Sequence, residues 1–198
     1  MKAAQDLPEI IQTKFEVFDW RNAIAILGSV HAAEFSEVLQ VLSVFELRHS
    51  ELAEGGGNKS SMSKYIDDAL GDVGWIKKRF NTEIIIDGVK RPSPTHEIDC
   101  FKGRIALEME WNNKDPFFDR DLNNFRLLYD LHAIDVGIII TRATSLQTTL
   151  AGAGRAKTTF GMATTHTEKL YPKIRGGGAG GCPVLVFGIK AESYHDDR

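Results

Sequence analysis

Phe35, Val38, Leu39, Leu42 and Phe45 recur at helical spacing, with Ser36, Glu37, Gln40, Ser43 and Glu46 between them. This is a single apolar stripe on one helix, suited to a core or to a dimer face. Ahead of it, residues 15–20 alternate like a short strand, and Asp19 can cap a helix carrying Ala23, Ile24 and Leu27. Met62, Ile66 and Leu70 mark another helix. The pattern then changes to period two. Residues 81–87, 95–101 and 104–111 read as a meander of three strands, with Asp87-Gly88 as a hairpin turn and Lys102-Gly103 as the second. Leu122, Phe125, Leu128 and Leu131 predict a helix over 119–132, and the apolar run 136–141 a buried strand. A helix between two strands implies a crossover and a parallel neighbour. The expected fold is α/β, a mixed central β-sheet flanked by helices. Residues 184–189 supply a last strand, after a glycine-rich connector at 176–181 and before a frayed end.

Composition narrows the class. The chain has 198 residues, 42% of them hydrophobic and 26% charged, which suits a single domain over 1–198. No apolar run reaches the ~20 residues of a membrane span, and the start lacks a signal-peptide core. A cytoplasmic protein with no membrane partner is expected. Cys100 and Cys182 fit no metal-ligand spacing, and Cys100 is expected to be a buried thiol. The net charge is −3, yet residues 142–181 hold six basic residues against one acid, among glycines and hydroxyls. Such a segment suits phosphate contacts, with Arg155 and Lys157 as candidates; a merely solvated loop region is the alternative. Lys59 sits in a glycine-rich stretch ahead of a helix, where backbone amides can also approach phosphate. ATP binding is not expected, because Ala156 stands where the phosphate loop needs glycine before Lys157.

The chemistry centres on residues 96–113. Ala106, Glu108 and Glu110 share one face of their strand, Ile105 and Leu107 the other. Asp99, on the face opposite Ile98 and Cys100, is folded by the turn to lie near 106–108. Three carboxylates, Asp99, Glu108 and Glu110, can thus converge, where mutual repulsion favours a cation. An all-oxygen set selects a hard ion such as Mg²⁺; a solvated polar strand face is the alternative. Asp67 or Asp68 is a weaker candidate for a further acid. The polar tip that follows, Asn112, Asn113 and Lys114, suits a base-reading edge. Arg142, at the end of the buried strand, can read guanine, clamp a phosphate or pair with an acid.

Asp99, an eight-residue gap and then Glu108-Met109-Glu110 resemble the Asp…Glu-x-Lys core of the PD-(D/E)xK nuclease superfamily. Ile98 stands in place of the usual proline and Glu110 in place of the lysine. Both departures are similar to type II restriction endonucleases around BamHI, BglII and BstYI, as is Asn113 three residues after the third position. The resemblance covers most of 55–142. It implies a restriction-endonuclease-like fold and a Mg²⁺-dependent type II site-specific deoxyribonuclease acting on double-stranded DNA. Asp99, Glu108 and a carbonyl at Met109 would hold metal, and Glu110 would ligate or act as base. It further implies a homodimer, a palindromic site for which GATC is the candidate core, and a companion DNA methyltransferase. A structure-specific repair or resolvase-type nuclease, or a non-catalytic DNA-binding protein, is the alternative.

Overall fold

The computed structural model describes residues 4–53, 61–93, 95–152, 161 and 163–198. Helix α1 (Glu9–Lys14) leads into strand β1 (Phe15–Trp20), followed by α2 (Ala23–Val30) and α3 (Ala32–Val44). Asp19 accepts the Ile24 N–H at 3.2 Å, so it does restrain the start of α2. Strand β2 (Leu47–Arg48), α4 (His49–Ala53) and α5 (Ser61–Asp72) come next, then β3 (Ile76–Lys78), β4 (Glu83–Ile86) and β5 (Val89–Pro92). Strands β6 (Ile98–Lys102) and β7 (Ile105–Glu110) precede α6 (Pro116–Asp130), which opens on a proline suited to a first helical turn. Strand β8 (Val136–Arg142), α7 (Leu146–Gly152), α8 (Thr167–Arg175), β9 (Val184–Ile189) and β10 (Tyr194–His195) complete the order.

One six-stranded sheet runs β1-β9-β8-β7-β6-β3. The central strands β7, β8 and β9 are parallel; β1, β6 and β3 add on antiparallel. The mixed α/β fold expected from the sequence is the one found. Each face is apolar. Ile105, Leu107, Ile138 and Phe187 pack with Ile24, Phe35, Val38 and Ile66 on the side of α2, α3 and α5. Ala106, Ile139 and Val186 pack with Phe118, Leu122, Phe125 and Leu170 on the side of α6 and α8. Helix α6 lies close over the sheet because Gly137 has no Cβ; one there would run into the Phe125 ring.

Several expectations are corrected. The meander is not formed: β4 and β5 pair only with each other, through the Asp87-Gly88 turn, and β3 is the neighbour of β6. The hairpin turn is Gly103-Arg104, both with positive φ, rather than Lys102-Gly103. Leu131 lies beyond α6 and is 54% exposed, off the apolar stripe. The glycine-rich segment is no free connector. A Cβ at Gly180 would strike Arg126, and Ala179 is buried. The C-terminus is tied down: β10 pairs with β2, Tyr194 Oη meets His49 Nδ1 at 2.8 Å, and Asp197 accepts from Ser50. Among the described residues no single helix is long and apolar enough to cross a membrane.

Candidate active site

The site grows from a defect in the sheet. Ile76 faces Phe101 while Lys78 faces Ile98, so Asp99 and Cys100 together oppose Lys77 in a β-bulge. The regular β6–β7 ladder stops at Cys100 and Leu107. Beyond that point side chains replace ladder bonds. The Asp99 N–H donates to Glu108 Oε2 at 3.4 Å, and the Met109 N–H donates to Asp99 Oδ2 at 3.4 Å. The bulge also breaks the expected alternation: Ile98 joins the α6-side core and Cys100 the opposite one. Cys100 is a buried thiol, as expected.

Glu108 is 1% exposed, and its Oε1 is buried with no hydrogen-bond donor among the described residues. Burial, then Asp121 and Asp99, push its carboxyl well above the usual range. Glu110 follows on the same face. Asn113 Nδ2 donates to its Oε2 at 2.5 Å and Arg120 Nη2 to its Oε1 at 2.9 Å. Burial and the neighbouring Asp121 nonetheless push Glu110 up to about 9. Asp121 is fully buried and raised by that burial; its Oδ1 accepts from Arg120 Nε at 2.8 Å, and a carboxyl–carboxyl hydrogen bond links it to Glu110.

Asp121 and Arg120 were missed in the sequence. The available signal was an acid at 121, four residues before Phe125, on the apolar stripe of α6. A cleft of about 290 Å³ opens here, lined by Lys77, His96, Asp99, Glu110, Asn113 and Arg120 among others.

The candidate DNA contacts separate into four groups. Asn112 adopts a left-handed φ of 57° and its Oδ1 has no described partner, while Lys114 is exposed. Asn113 is held down by Glu110 and by main-chain pairing with Thr165. Arg142 departs from expectation. It is 1% exposed and bonds Thr165 O, Gln147 Oε1, Gly161 O and Thr164 Oγ1. Its guanidinium faces inward because these carbonyls and hydroxyls surround the strand end; it thereby supports the segment against which Asn113 and Lys114 pair. Lys59, Arg155 and Lys157 lie outside the described residues. Of the other basic residues in 142–181, Lys173 pairs with Asp119 at 2.7 Å and Arg175 stacks over Phe18.

Among the described residues no three His, Cys, Asp or Glu side chains group so as to enclose an ion. The fuller convergence expected of Asp99, Glu108 and Glu110 is therefore not formed, since Glu110 is drawn to Arg120 and Asn113. Asp67 is likewise engaged elsewhere, by Lys77 and Cys100. The pair Asp99 and Glu108 still fits a divalent cation of the magnesium type. Both are oxygen donors, Glu108 Oε1 is buried without a described partner, and Mg²⁺ commonly takes only one or two carboxylates beside water and phosphate.

The family model described as restriction endonuclease BglII/BglIII matches residues 15–189. No curated protein matches the chain.

Proposed function

We propose that this chain, which belongs to the BglII/BglIII restriction endonuclease family, is a type II enzyme that hydrolyses double-stranded DNA at a short palindrome with Mg²⁺. The observation that carries this reading is the buried Glu108 carboxylate, with an oxygen lacking any described partner, set beside Asp99, which lines a polar cleft.

Asp99, Glu108 and the Met109 carbonyl would hold the ion. When bound, it supplies polarisation of the scissile phosphate and lowers the pKa of a ligated water. Glu110, once a bound cation favours its ionised form, accepts the proton of the attacking water. Arg120 and Asn113 fix its two oxygens, so the base is oriented before DNA arrives. Asp121 holds Arg120 in turn. Asn112, Asn113 and Lys114 form the reading edge, Asn being able to pair bidentately with adenine. Arg142 supports that edge from beneath. Lys59, Arg155 and Lys157 serve the phosphate backbone.

Palindrome reading calls for a symmetric dimer, each subunit taking one half-site, in a single endonuclease domain over 1–198. The likeness to the BamHI, BglII and BstYI group favours a site containing GATC and a companion methyltransferase. Digestion of plasmid DNA with Mg²⁺, followed by sequencing of the ends, tests this. Discrete fragments ending within one palindrome are expected. Nicking confined to branched DNA, or no cleavage with any divalent metal, contradicts it.

A further inference from the structure

Glu110 occupies the position where the common nuclease motif has lysine, which leaves the cleft rich in acid. Asp99 and Glu110 line it, Glu108 and Asp121 are buried next to them, and Arg120 is already committed to Glu110 and Asp121. A phosphate diester is itself an anion, and its negative charge grows on the reacting oxygens as water adds. A mobile cation at the mouth would serve both problems.

Lys77 has that placement. It comes from β3, opposite the bulge that carries Asp99, and it lines the cleft. Its Nζ lies 3.8 Å from Asp99 Oδ1 and 3.6 Å from Asp67 Oδ2. Bulges beside functional sites re-aim side chains, and here the extra residue brings Asp99 and Lys77 face to face. The Lys77 side chain is 53% exposed while that of Asp67 is only 10% exposed. Both pairs are long and share a well-solvated ammonium, hence weak and readily broken. The flexible four-carbon stem lets the ammonium move between neighbouring oxygens at small cost.

We propose that Lys77 is a catalytic cation of this site, delivered from β3 in place of the missing motif lysine, and that it contacts a non-bridging oxygen of the scissile phosphate. In this structure it rests between Asp67 and Asp99; in the DNA complex it pairs with phosphate. Lys77 acts by charge alone. The assignment rests on the reading of Asp99 and Glu108 as metal ligands.

The test compares wild type, Lys77→Ala, Lys77→Arg and Asp99→Ala on a duplex carrying the mapped site. Single-turnover cleavage is read with Mg²⁺, DNA affinity with Ca²⁺, and Ca²⁺ binding to the DNA-free protein by calorimetry. For Lys77→Ala the rate should fall about 100-fold with DNA affinity within about threefold of wild type. Its Ca²⁺ affinity should rise, on the order of fivefold, because a competing cation has left Asp99. Lys77→Arg should recover part of the rate. A Lys77→Ala rate within threefold of wild type, a loss of DNA affinity equal to the loss of rate, or unchanged Ca²⁺ binding overturns the proposal. If Asp99→Ala cleaves like wild type, the metal-site reading itself has failed and the Lys77 assignment with it. An inactive Asp99→Ala beside a fully active Lys77→Ala overturns the Lys77 assignment alone.

Discussion

Asp99 and Glu108 face each other across the gap where β6 leaves β7, the Asp99 N–H donating to Glu108 Oε2 at 3.4 Å. The bond does two things. It satisfies a backbone donor that the ladder has abandoned, and it leaves the other Glu108 oxygen pointing into a space without a described donor. Burying an unpaired carboxylate costs several kcal/mol unless a proton or a cation accompanies it.

A divalent cation should therefore stabilise the folded protein. Millimolar Ca²⁺ is expected to raise the melting temperature of wild type, by linkage to binding, and to leave Glu108→Ala and Asp99→Ala unmoved. Equal shifts in all three proteins would place the binding elsewhere.

Stability without metal should depend on pH through Glu108 and Glu110. Glu110 is raised to about 9 in the fold against an ordinary 4.5, and Glu108 is raised in the same direction. A raised carboxyl takes up protons on folding, so its contribution is complete below about pH 4.5 and is lost as pH climbs toward 9. In EDTA the melting temperature should fall from pH 6 to pH 9, and Glu110→Gln should flatten that fall. A wild-type curve level over this range would contradict the buried-acid account.

Arg142 should matter for stability rather than for base reading. Its donors hold Thr165, Gln147, Gly161 and Thr164, and removing them orphans buried acceptors. Arg142→Met is expected to cost about 2–4 kcal/mol in urea unfolding. A variant of unchanged stability that cuts a relaxed site would make Arg142 a reader after all.

Backbone contacts should show in salt dependence. Each phosphate neutralised adds about −0.9 to the log–log slope of affinity against salt. Alanine at Arg155, Lys157 or Lys59 should each flatten the slope by about one. Unchanged slopes in all three would remove these residues from the DNA interface.

The hairpin chemistry was legible because Asp99, Glu108 and the turn lie within a dozen residues, where period-two alternation fixes which side chains meet. The central β8 strand was legible from its unbroken apolar run. Arg120, Asp121 and Lys77 were not, since they reach the cleft from α6 and β3 through packing that no local period records. The bulge at Asp99 adds a single residue and leaves composition unchanged, so it is silent in sequence. Arg142 misled for a related reason: a strand end looks exposed until Gly161, Thr164 and Thr165 close over it. The polar C-terminus reads as a frayed end, yet its ties to Leu47, His49 and Ser50 span about 145 residues of sequence.

The most direct measurement is cleavage by Asp99→Ala and Glu108→Ala. Each purified variant, shown folded by its melting transition, is assayed on site-bearing duplex with Mg²⁺ and for binding with Ca²⁺. Loss of about 1,000-fold or more in rate, with the duplex still bound, is predicted, as for removal of a metal that activates both water and phosphate. Cleavage by either variant within tenfold of wild type would contradict the assignment of this pair as the metal-holding centre.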